Sequence, residues 1–195
     1  MEQAREALLE WGLLLVQDKR LPSVVGVITG ETLHTSWWSH PKAQQVFATL
    51  GQLSDHPDVL FTKLLYRKDT LVHRRLWSAL LAVVTAREPW QLEGLSTVAR
   101  QLMDELDEGG QPIRASGTAV KELTARLLAN AQQVHTESGR HQTVVEPWSV
   151  WSHRVDCAPV PRVSEGRHAL EQATLALGAS LGALPWKPGA HASAT

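Results

Sequence analysis

Residues 41–76 read PKAQQVFATLGQLSDHPDVLFTKLLYRKDTLVHRRL, and the change of period within them sets the architecture expected for the whole chain. Ala43, Val46, Phe47, Leu50 and Leu53 recur at helical spacing behind Pro41, which stands where a first helical turn tolerates a proline. His56-Pro57-Asp58 stops that helix. Two apolar runs follow, Val59–Tyr66 and Thr70–Leu76, joined by Arg67-Lys68-Asp69. The pattern predicts a helix followed by a β-hairpin with a charged tip.

The same order returns later without any repeat of sequence. Thr118–Ala131 predicts an amphipathic helix with Val120, Leu123, Leu127 and Ala131 inward, followed by strands over Gln133–Glu137 and His141–Val145 around a Ser138-Gly139-Arg140 turn. Helix, connector, helix and hairpin is the order of a winged helix, in which the helix before the hairpin enters a groove of the duplex and the hairpin tip meets its backbone. Outside these segments, Ala7, Leu8, Trp11, Leu14 and Leu15 share one helical face that ends before Pro22. Residues 22–36 read as an apolar patch and a loop, and Trp77–Ala86 as a buried helix ended by Pro89. Ser96 suits a helix N-cap, and Gly109-Gly110 suits the end of that helix. Pro147–His153 reads as a short helix, 156–163 as a connector, and Glu165–Leu184 as a helix weakened by Gly178 and Gly182. The expected fold class is α+β, mostly helical with winged-helix-like helix–hairpin units. Three regions are expected to pack as one compact unit: a helical region with the basic hairpin (1–90), a winged-helix-like region (91–155), and a C-terminal helix with its tail (156–195).

Composition narrows the function classes. The chain has 195 residues, 43% of them hydrophobic, which is enough for a core. Nineteen basic residues against 20 acidic give a net charge of -1, which excludes a uniformly basic nucleic-acid binder but not a local basic face. A single cysteine, Cys157, excludes a disulfide framework. No apolar run reaches the ~20 residues of a membrane span, and the N-terminal MEQAREALLEW lacks a signal pattern, so a cytoplasmic protein without membrane contact is expected. Eight tryptophans stand beside two phenylalanines and one tyrosine.

The segments FTKLLYRKDTLVHRRLWSALLAV (61–83) and GLSTVARQLMDEL (94–106), followed by the second helix and hairpin, resemble short bacterial relatives of the winged-helix, crosslink-repair DNA glycosylases. The resemblance covers roughly residues 20–146. It implies winged-helix folding and association with double-stranded DNA in bacterial DNA repair or regulation. The large glycosylases of that group position water with Gln-x-Gln or Gln-x-Asp, and this chain has neither. Gln44-Gln45 and Gln132-Gln133 are adjacent pairs, and the nearest approach is Gln91-Leu92-Glu93. Binding without catalysis is therefore the leading expectation. One alternative is a glycosylase-like enzyme with another site, in which Gln91 and Glu93 would come first. The other is a protein-interaction module anchored by tryptophans.

The candidate DNA-binding residues form two groups. Lys63, Arg67, Lys68, Arg74 and Arg75 surround the first hairpin against one acid, Asp69. Such an excess suits phosphate contact, because Lys and Arg supply affinity for the duplex backbone. Arg114, Lys121 and Arg126 mark the second helix, with Thr118, Glu122 and Asn130 on its expected exposed face and Arg140 at its hairpin turn. Asn and Arg can read base edges. Of Trp37 and Trp38, one ring is expected in the core and the other is a candidate for stacking. The histidines show no tight metal-ligand spacing, although His135 and His141 are expected to face each other across the second hairpin. No metal or cofactor is expected.

Overall fold

The computed structural model describes residues 2–135 and 141–187. The chain divides into two compact units, Met1–Trp77 with His168–Thr195, and Ser78–Arg167. This division differs from the expected boundaries at 90/91 and 155/156. The fold class is α+β, with two small three-stranded antiparallel sheets among many helices.

The first unit opens with helix α1 (Glu2–Trp11), strand β1 (Leu13–Leu15), helix α2 (Val24–Thr29), helix α3 (Ala43–Ser54) and the hairpin strands β2 (Val59–Thr62) and β3 (Thr70–His73). The sheet order is β1-β3-β2, with Leu13 opposite Val72 and Val59 opposite His73. Leu8, Leu14, Val24, Val25, Val46, Leu53 and Leu71 make its core. Three expectations change here. The first helix does not reach Leu14 and Leu15. Gly12 takes a left-handed φ of 78° and ends it, and the next three leucines form a fully buried strand. A short apolar run of this kind fits a helix face and a buried strand equally well by spacing. Second, the patch at 22–36 contains a helix, α2, whose N-cap Ser23 accepts a hydrogen bond from the Gly26 N–H at 3.1 Å. Third, the hairpin strands are shorter than their apolar runs. Leu64 and Leu65 leave the ladder and are buried beneath the tip, where the Leu65 N–H donates to the Thr70 hydroxyl at 3.1 Å.

Helix α4 (Trp77–Val84) is followed by α5 (Pro89–Leu92), in which the proline expected to end a helix begins one. The second unit continues with α6 (Thr97–Gly109), β4 (Ile113–Arg114), α7 (Thr118–Ala125), β5 (Asn130–His135), β6 (His141–Glu146) and α8 (Trp148–Arg154). Its sheet order is β4-β6-β5, and Ala99, Leu106, Val120, Leu123 and Val145 lie in its core. Ser96 caps α6 as expected, accepting from the Ala99 N–H at 3.2 Å. Helix α7 stops six residues before its expected end at Ala131, and Asn130 and Ala131 pair in the sheet. Leu127 takes a left-handed φ of 54°, and the Leu128 N–H closes the end of the helix onto the Leu123 carbonyl at 2.9 Å. Helix α9 (Val163–Ala176) ends before Gly178 rather than at Leu184.

Candidate nucleic-acid interface

The tip of the first hairpin extends from a sheet whose residues are buried apart from the half-buried Phe61 and His73. Tyr66 and Arg67 are consecutive non-glycine residues in the left-handed region, with φ of 52° and 57°. Such conformations cost of order 1–3 kcal/mol each and concentrate at functional surfaces. Tyr66, Arg67, Lys68 and Asp69 are exposed, and the Lys68 ammonium lies 5.8 Å from the centre of the Tyr66 ring. Tyr66 was not among the residues expected at the site. Its only sequence signal is an aromatic next to the charged turn.

The cations of this hairpin are less available than their sequence suggests. Lys63 pairs with Asp69 at 2.6 Å, and Lys68 with Asp18 at 2.7 Å. Arg74 lies 3.7 Å from Asp58 and sits over the Trp77 ring. Arg75 donates to the Glu10 carbonyl at 2.9 Å, a neutral partner that leaves its charge in place. Burial raises the pKa of Asp18. The Lys68 hydrogen bond, the N–H groups of Arg20 and Leu21, and the Lys68 charge outweigh it and hold the carboxyl below its ordinary range. Burial lowers the pKa of His73, and Arg75 adds to the effect while Asp58 opposes it.

Trp37 and Trp38 divide as expected. Trp37 is 7% exposed and Trp38 is 64% exposed, with the rings stacked at 4.0 Å. Phe47, expected on the inward face of its helix, is 53% exposed and lies 6.0 Å from the Trp38 ring.

In the second unit, three residues expected on the exposed face of the helix, Glu122, Arg126 and Asn130, are bonded within the chain. Arg126 Nη1 donates to the carbonyls of Trp90, Gln91 and Glu93 at 3.3, 3.3 and 2.6 Å. Glu122 accepts from the Ser96 hydroxyl at 2.7 Å and the Ser96 N–H at 3.0 Å, which lowers its pKa. Asn130 is buried and donates to Glu146 at 3.0 Å. Arg114 and Lys121 are exposed, and so are Asp104, Glu105 and Glu108 on α6. Arg140 lies outside the described residues. His135 and His141 are register partners across β5 and β6.

Gln91, the first residue of the enzymatic alternative, is fully buried. Its Oε1 accepts from the Glu88 N–H at 3.0 Å, and its Nε2 donates to the Val84 carbonyl at 3.0 Å. The side chain is thus held by the chain's own backbone, away from solvent. Glu93 is exposed. Among the described residues, no group of three or more His, Cys, Asp or Glu is placed to hold a metal ion, and no helix is long and apolar enough to cross a membrane. Comparison with family models, curated proteins and solved structures finds no match to this chain.

Proposed function

We propose that this protein binds double-stranded DNA through its first helix–hairpin unit, without acting chemically on the DNA, in the setting of repair or regulation that the resemblance implies. The observation that carries this reading is the hairpin tip. Tyr66, Arg67 and Lys68 project from one end of a largely buried three-stranded sheet in a strained backbone conformation, while Arg74 and Arg75 stand at its other end, beside Asp58 and Glu10. The exposed cations of the hairpin supply charge for phosphate oxygens, and the Tyr66 ring can pack on sugar. The ion pairs of Lys63, Lys68 and Arg74 temper the field, so the contact involves few phosphates and its salt dependence is shallow.

The test is fluorescence anisotropy of a labelled duplex across a salt series. Arg67→Ala should weaken binding about equally for all sequences and flatten the slope of log affinity against log salt by ~0.9 for one lost phosphate contact. An unchanged slope would remove the tip from the interface, and a parent that shows no salt-sensitive binding would end the duplex reading. The exposed Trp38–Phe47 pair favours a second reading, in which an apolar protein partner covers that surface.

A further inference from the structure

Helix α3 is 12 residues long and carries no charged side chain between Ala43 and Ser54. Its buried side is Val46, Thr49 and Leu53. Gln44, Ala48 and Gly51 run along the middle of the opposite, exposed face, with Gln45 and Gln52 on one flank and Phe47 on the other. Among the described residues, nothing hydrogen-bonds the amides of Gln44, Gln45 or Gln52. Lys42, just before the helix, is occupied: its ammonium donates to the Ile28 and Thr29 carbonyls at 2.9 and 3.1 Å. Gly51 adds a separate observation. A glycine inside a helix weakens it relative to alanine, yet a Cβ placed here would meet nothing within 4 Å. Packing within the chain gives no reason for the glycine, whereas close approach by another body does.

We propose that this face of α3 reads A·T base pairs in the major groove of duplex DNA. Glutamine amides match the N6 donor and N7 acceptor of adenine, and apolar groups such as Phe47 and Ala48 match the 5-methyl of thymine. The groove admits an α-helix, and recognition helices contact bases with their N-terminal residues. That polarity fits here, because Gln44 and Gln45 open the helix while Asp55 and Asp58 lie beyond its end, where they avoid the groove. The hairpin that follows α3 supplies phosphate contact and the helix supplies sequence preference. This inference rests on the duplex-binding reading above and goes beyond it, since that reading alone demands no preference.

The experiment is selection from duplexes with a randomised core, using the full chain, followed by affinity measurements on selected sites. The parent should enrich A·T pairs at two or more positions. Gln44→Ala with Gln45→Ala should lose that enrichment, with about tenfold weaker binding to the selected site for each base pair no longer read, while retaining salt-sensitive binding to any duplex. Replacing selected adenines by 7-deazaadenine should weaken the parent and leave the variant unaffected. Gly51→Ala should raise Tm yet weaken binding to the selected site. Salt-sensitive binding with an unenriched pool, or enrichment that survives the double substitution, overturns the proposal and leaves the hairpin reading standing. Absence of all duplex binding ends both, and burial of Phe47 by a protein partner then becomes the better account.

Discussion

Helix α3 with hairpin β2–β3 and helix α7 with hairpin β5–β6 share an order of elements and are used in opposite ways. On α3 the three glutamines are exposed, and among the described residues nothing hydrogen-bonds their amides, beside an open aromatic pair. On α7 and just after it, Glu122 ties down Ser96, and Arg126 gathers three carbonyls of the preceding segment. The first unit carries more basic than acidic residues, and the second the reverse. One helix–hairpin pattern thus serves as a surface and the other as a brace. Spacing tells which face of a helix is polar. Whether that face meets solvent or the chain's own backbone depends on tertiary packing.

The tryptophan pairs sharpen this contrast with the largest expected effect. Trp148 and Trp151 are both buried, edge to face at 5.6 Å, and Trp148 Nε1 donates to the Leu127 carbonyl at 2.8 Å, holding the left-handed turn after α7. Trp148→Ala should cost ~3–5 kcal/mol by denaturant unfolding. A loss under about 1 kcal/mol would show that the second unit is not braced as described. Arg126→Ala comes next, at about 2 kcal/mol, because a charged donor and three carbonyl contacts are lost together. Duplex affinity measured well below Tm should stay at the parent's value. A loss of affinity with the same stability would return Arg126 to the DNA interface.

Most of the helix–hairpin order was legible in the sequence, since long amphipathic segments and charged turns declare themselves locally. Structure departs from local pattern where the local signals are degenerate. The LLL run at 13–15 satisfied a helical face until Gly12 broke the helix, and the apolar periodicity of α7 ran past Leu127, where hydrogen bonds from distant residues end it. Of the candidate site, the exposed hairpin tip was legible from its charges. Its neutralisation by Asp18, 50 residues away in sequence from Lys68, was not. Phe47 shares a helical period with Leu50 and Val46, yet it is exposed and lies beside Trp38.

That ion pair gives a third prediction, inside the first unit. The Asp18 side chain is 9% exposed and that of Lys68 50%, so Lys68→Ala strands a nearly buried carboxylate on two backbone N–H groups. The expected cost is about 1 kcal/mol at neutral pH. The pKa of Asp18 is lower folded than unfolded, so its stabilisation is present above the unfolded value near 3.8 and is lost as pH falls through the folded value. Lys68→Ala raises the folded pKa, so the gap between parent and variant should be full at pH 6 and should shrink on acidification below about 4. A gap independent of pH over that window would mean that the pair does not control Asp18.

Trp38 gives the smallest effect on stability and the finest test of the comparison. Its ring is 64% exposed and its main contact is the stack on Trp37, so Trp38→Ala should cost about 0.5–1 kcal/mol, far below the buried pair of the second unit. An exposed indole emits at longer wavelength and is open to a neutral quencher, while Trp37, Trp77, Trp148, Trp151 and Trp186 are shielded by burial and Trp11 and Trp90 are half-buried. Trp38→Ala should therefore shift the emission to the blue and remove much of the acrylamide-accessible signal. The same signal reports how duplex DNA sits on the first unit. If α3 lies in the groove, DNA should protect Trp38, which neighbours Phe47 on its flank, and the protected fraction should vanish in Trp38→Ala. If only the hairpin tip touches phosphates, quenching of Trp38 should be the same with and without saturating duplex, and the division of labour between helix and hairpin would have to be redrawn in favour of the tip alone.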